Sequence, residues 1–181
     1  MRLGIADHLG WAIAVTASRD HEVVDRRRIE LIEPCVSAAP IHYESRRLDV
    51  AGTAALVTRA RASIARATSA AFDELAAALP APVRSVSLRF WPLDFPEDIA
   101  VQRRVPHEAR ADAIMYRQEI AELAHARGWD VHVYDAKAVV DQATRLLADR
   151  ADEVLNGPRE TLGPPWTKDH RVALAAAIVA G

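Results

Sequence analysis

A chain of 181 residues, 50% apolar and 27% charged, is long enough to bury a core without disulfides or structural metal. Its formal charge of −2 gives no push toward nucleic acid or membrane. The single cysteine, Cys35, excludes an internal disulfide and a cysteine-built zinc site.

The longest apolar run, residues 172–180, is too short to cross a bilayer, so no membrane partner is expected. The amino terminus enters a strand-like pattern directly, without signal-peptide architecture, and with the reduced cysteine this points to the cytoplasm. Of the 23 basic residues only Lys137 and Lys168 are lysines, and alanine is abundant. That composition resembles proteins of GC-rich bacterial genomes, so the number of arginines is a weak signal for phosphate binding and only their clustering counts.

Residues 2–6 form a short apolar run that ends in the turn Asp7-His8-Leu9-Gly10. A second strand covers residues 11–17, a turn follows at Ser18 to His21, and residues 22–32 form a third strand, with Val23, Ile29 and Leu31 in its period-two pattern. Short polar turns between three strands predict an antiparallel meander. Residues 34–40 break the pattern between two prolines.

From residue 48 to 79 the period becomes helical, with Leu56, Ala60, Ile64, Ala67, Ala71 and Leu75 on one face and Asp49 as N-cap. Arg59, Arg61 and Arg66 lie off that stripe and read first as solvated charges. Residues 83–91 are a fourth strand, 106–127 a second helix closed by Gly128, 131–134 a fifth strand and 136–149 a third helix. Residues 156–165 read as a loop, and Thr167 or Asp169 caps a last helix from about His170. A meander followed by alternating helix and strand predicts an α/β sheet covered on both faces, and the chain reads as one domain over residues 1–181.

Three stretches carry a resemblance. Leu3-Gly4-Ile5-Ala6-Asp7 with Gly10-Trp11 resembles the opening strand of the bacterial Holliday-junction resolvase (RuvC-type) branch of the ribonuclease H-like superfamily. Residues 119–139, with Gly128 before Val131-His132-Val133-Tyr134, resemble its second helix and fifth strand, and residues 169–178 resemble its last helix. The resemblance implies a ribonuclease H-like fold: a five-stranded mixed sheet, its first three strands antiparallel, with helices on both faces. It also implies a divalent-metal-dependent nuclease site, with Mg²⁺ or Mn²⁺ held by Asp7 and Asp169 as catalytic residues, and nucleic acid as partner.

The departures from that pattern are specific. Ala6 stands where the first aspartate belongs, and Asp7 follows one residue later, a step that reverses side-chain direction along a strand. The fourth strand should carry a glutamate, but Ser85-Val86-Ser87-Leu88-Arg89 has none, and Arg89 stands near the expected carboxylate. Val172 falls where a second acid of the last helix belongs. Two Mg²⁺ ions roughly 4 Å apart need three or four carboxylates. Only Asp7 and Asp169 are in place, with Asp94, Glu97 and Asp98 in a nearby loop, so a reduced or altered metal site is expected. Arg89 is the natural bridge between the two acids if it replaces the cation.

Other groupings bear on the same cleft. His8 and His170, each following an aspartate, supply imidazoles for a transition metal or an acid–base dyad, against a plainer reading as helix caps and surface histidines. Trp91 and Trp166, with Phe95, sit in Pro-rich loops at the expected ligand edge; they pave a binding surface, plug the cleft, or meet a second copy in a homodimer. Arg103, beside Arg104, precedes the second helix, where it would meet a phosphate, against a plainer reading of the pair as solvated loop charges. On this reading Arg89, Trp91, Arg103 and Trp166 line the substrate side. Two functions follow: a resolvase-like protein acting on or binding nucleic acid, or a catalytically inactive scaffold or protein-interaction domain on the same fold.

Overall fold

β1 (Arg2–Asp7), β2 (Trp11–Ala17) and β3 (Val23–Glu30) form the expected antiparallel meander in the computed structural model, which describes residues 1–181. Gly10, at φ +88°, allows the tight first turn, closed by the His8 amide donating to the Trp11 carbonyl at 2.9 Å. β4 (Ser85–Arg89) and β5 (Asp130–Tyr134) join in parallel, giving the five-stranded order β3-β2-β1-β4-β5. The ribonuclease H-like expectation of a mixed sheet with its antiparallel strands first is what the chain adopts.

Each sheet face has its own core. Leu3 and Ile5 of β1 and Val86 and Leu88 of β4 point to one face, where α1 (Val50–Ala78) and α3 (Glu108–Ala126) cover them with Ile64, Phe72, Met115 and Tyr116. Asp49 caps α1 by accepting from the Gly52 amide at 2.7 Å. On the other face lie Ala6, Val15 and Tyr134, beneath α4 (Val139–Leu147) and α7 (Lys168–Val179). Every residue of α7 from Val172 to Ile178 is buried, which explains a run that is apolar all round: the sheet covers one side and α4 and α5 (Ala151–Asn156) the other.

Some boundaries differ from the sequence reading. The segment expected as a loop at 156–165 is partly helical: α5 ends at Asn156 and α6 (Pro158–Thr161) follows with proline in its first turn. Burial of Val154 and Leu155 against α7 fixes that conformation. A short α2 (Ile99–Gln102), capped by Asp98, precedes α3. The buried face of α3 is rotated from the predicted stripe: Ala109 is exposed, while Ala111, Ile114 and Met115 are inside. The cause is residues 40–44, a turn that buries Pro40 and Ile41 against α3. Asp112 holds that turn, accepting from the Ile41 amide at 3.0 Å and the His42 amide at 2.8 Å. No helix is long and apolar enough to cross a membrane.

Two packing constraints yield predictions. A Cβ on Gly4 would stand 1.7 Å from the Ala173 carbonyl oxygen, because α7 lies directly on β1. Gly4→Ala should therefore push α7 off the sheet and lower stability by about 1–3 kcal/mol in urea denaturation; an unchanged midpoint would mean the helix does not sit there. Burial raises the Asp112 carboxyl above its usual range, against the two amides that favour its charge. A raised folded pKa means this group's stabilisation is complete below the ordinary aspartate value, about 3.9, and is lost as pH rises through the folded value. Asp112→Asn should flatten that part of the stability-versus-pH curve, and a curve identical to wild type would contradict the assignment.

Candidate functional site

β1 ends at the carboxyl edge of the sheet, and alternation along it decides where its last side chains go. Leu3 and Ile5 face α3 and Ala6 faces α7, so Asp7 turns toward α3. There its buried carboxylate accepts from Arg117 of α3, Nε to Oδ2 at 2.9 Å. Arg117 also donates from Nη1 to the Phe90 carbonyl at 3.2 Å, which fixes the guanidinium between α3 and the end of β4. His8, one residue on, turns the other way: its Nε2 lies 3.0 Å from Asp169 Oδ2 in the first turn of α7. The His8 ring stacks on Trp11 at 4.1 Å with planes 10° apart, which holds it in place.

Arg89, the last residue of β4, stands between the two acids. Its Nε is 3.6 Å from Asp7 Oδ1 and its Nη2 is 4.0 Å from Asp169 Oδ1. The 3.6 Å approach is a charge contact, not a hydrogen bond, and both of those buried atoms lack another partner. Burial works against the Arg89 charge, but Asp7, Tyr134 and Asp169 outweigh it and hold its pKa above the ordinary value. Tyr134, opposite Arg89 on β5, donates its hydroxyl to the Ile5 carbonyl at 2.7 Å, and burial keeps the phenol neutral far above its usual range. The result is a closed array: two carboxylates, two guanidiniums, one imidazole and a neutral phenol.

The fates of the other predicted residues differ. Asp7, Asp169 and Arg89 come together. Trp91 is half-buried against the α1–α3 core. Trp166 packs against the α7 core, with its Nε1 donating to the Leu155 carbonyl at 2.9 Å. Arg103 does not reach the cleft; its guanidinium donates to the Ser45 carbonyl at 2.7 Å and to the Leu48 carbonyl, clamping the chain before α1. Both bonds come from Nη2, which turns the guanidinium toward the chain before α1 and away from the Asp7 cluster. His170 is buried and turned to Thr167, 2.8 Å from its hydroxyl, as part of the helix cap, so only one of the two Asp-His pairs contributes an imidazole. Arg117 and Tyr134 escaped the sequence reading. Arg117 sits in mid-helix between Tyr116 and Gln118 with no motif around it, and only the tertiary placement of α3 over Asp7 singles it out.

This donor set does not fit a pair of divalent cations. Mg²⁺ takes near-octahedral oxygen ligands at about 2.1 Å. Asp7 Oδ2 is taken by Arg117, Asp169 Oδ2 by His8, and the remaining oxygen of each faces Arg89. Nowhere do three or more histidine, cysteine or acidic side chains converge as a metal cage. A guanidinium delivers the positive charge that a cation would otherwise supply, and it repels any second one.

No protein-family profile matches the sequence, and neither does any curated protein. The fold is similar to that of Thermus thermophilus RuvC in complex with a Holliday-junction substrate, at a TM-score of 0.50 and 15% identity, over 98% of this chain and 89% of that one. A second Thermus thermophilus RuvC structure matches at 12% identity and a TM-score of 0.47, over 98% of this chain and 90% of that one. The chain thus has a ribonuclease H-like fold of the RuvC type.

Arg117→Ala should leave buried Asp7 with only its looser contact to Arg89 and cost about 3 kcal/mol, read from urea unfolding. Adding Asp7→Asn to that variant should recover part of the loss, because it removes the stranded charge. Arg66→Ala, which breaks an exposed pair with Glu33, should leave the midpoint in place. Equal midpoints for all three variants would mean the Asp7 cluster contributes nothing to the fold.

Proposed function

We propose that this protein binds nucleic acid on a resolvase-like scaffold and does not cleave it by two-cation chemistry. The observation that carries this reading is Arg89, set between Asp7 and Asp169 where a divalent ion would have to stand. The metal site expected from the sequence is in this reading an altered one, its charge supplied by arginine. Phosphodiester cleavage needs a polarised phosphate and an activated water, which paired metals supply together. A guanidinium stabilises a phosphate's charge but generates no hydroxide, so it suits binding better than hydrolysis. Support for the partner comes from the fold, which resembles a RuvC bound to a Holliday junction, and from Arg26 and Arg28 on β3 near the same edge.

A second reading, an inactive scaffold for another protein, is favoured by one observation. Many arginines are spent internally: Arg27 on Asp25, Arg61 on Glu119 and Arg103 on backbone carbonyls.

Branched and single-stranded DNA, incubated with Mg²⁺ or Mn²⁺, separate these readings. The expected result is binding that weakens steeply with salt, with no cleavage products under either ion. Cleavage abolished by Asp169→Asn would overturn the proposal and restore a metal-dependent nuclease. Absence of both binding and cleavage would overturn it in favour of the scaffold.

A further inference from the structure

Between β2, β3 and the segment entering α7 lies a cavity of about 550 Å³, whose lining includes Trp11, Arg26, Arg28, Thr167, Asp169 and His170. Its positive charge is differently arranged from that of the Asp7 cluster. Arg26 donates only to neutral backbone carbonyls, those of Leu162, Gly163 and Pro165, so it keeps its charge without a paired carboxylate. Arg28 sits over the Trp11 ring, its Cζ 4.3 Å from the centroid. Trp11 in turn stacks on His8, His8 bonds Asp169, and Asp169 faces Arg89. One line of contacts therefore runs from the edge strand to the centre of the cluster.

Arg28 has the features of an anion contact. Its only carboxylate partner is Glu30, two residues along the same strand at 2.9 Å, and both side chains are more than half exposed. Such a surface pair is weak and exchangeable. The indole backing restricts the guanidinium to the Trp11 face, so a bidentate oxyanion would meet it with less ordering left to do. A hollow of this volume takes a ligand about the size of a nucleotide or two, and is far too small for a duplex.

We propose that this cavity binds the phosphodiester backbone of a single nucleic-acid strand, with Arg28 as the phosphate contact and Trp11 as its fixed backing. This rests on the binding reading above and adds to it the strand's path: along β3 and toward Arg89, on the α7 side of the sheet. Arg26 is a positioning residue, since it straps the 162–165 segment to β3 and so shapes the cavity wall.

The test is fluorescence anisotropy of a labelled oligothymidylate against salt concentration, for wild type, Arg28→Ala, Arg28→Lys and Arg66→Ala. Unfolding midpoints alongside confirm that each variant is folded. Arg28→Ala should bind roughly tenfold more weakly, with the slope of log affinity against log salt reduced in size by about 0.7, one phosphate's worth for a single strand. Arg28→Lys should keep the salt slope but lose part of the affinity, because the stacked plane is gone. Arg66→Ala, on α1, should match wild type. Wild-type binding that is indifferent to Arg28→Ala in both affinity and slope would overturn the cavity proposal and leave the binding reading intact. No binding by wild type would overturn both.

Discussion

The contact between Gly4 and Ala173 sets the geometry of everything at the carboxyl edge of the sheet. With no side chain on Gly4, the backbone of α7 comes down onto the centre of β1, closer than any other residue at position 4 would permit. Alanines at 173, 175, 176 and 177 continue the close approach along the helix. Because α7 is seated there, its first turn is carried over the end of β1, and Asp169 is delivered to His8 and Arg89. Packing of small residues thus places charged ones, a long way apart in sequence.

The electrostatics follow from a displacement of one residue. An aspartate at position 6 would share the α7 face with Asp169 and concentrate two negative charges there. With the acid at position 7, the carboxylate lies on the α3 side, and the end of β1 stands between it and Asp169 of α7. Buried Asp7 needs a counter-charge, since a buried carboxylate without one is costly by several kcal/mol. Arg117 supplies it from α3, the His8 imidazole hydrogen-bonds the partly exposed Asp169 from the β1–β2 turn, and Arg89 leans on both acids. Fields from two sides keep Arg89 charged in spite of its burial.

What could be read from the chain, and what could not, divides along the range of the interactions. The meander was legible because turns at Gly10 and Asp20 and period-two strands are local. The parallel crossovers were legible because strand–helix–strand spacing leaves few alternatives. Asp7, Asp169 and Arg89 were legible through resemblance, and the absence of a carboxylate on β4 was plain in Ser85 to Arg89. The register of α3 was not, because its buried face is decided by residues 40–44, a segment without periodicity that Asp112 pins from 70 residues away. Arg103 misled for a similar reason: its position before a helix suggests a phosphate, but two carbonyls of the preceding turn claim it first.

The composition of the site also argues about its kind. Two carboxylates facing one another with nothing between them would repel and loosen the end of β1. Here the charges compensate one another. Arg89 sets charge of the opposite sign between Asp7 and Asp169, Asp7 is held by Arg117, and the buried Tyr134 phenol stays neutral with its hydroxyl on the Ile5 carbonyl. The array is self-consistent as a cluster of ion pairs and hydrogen bonds.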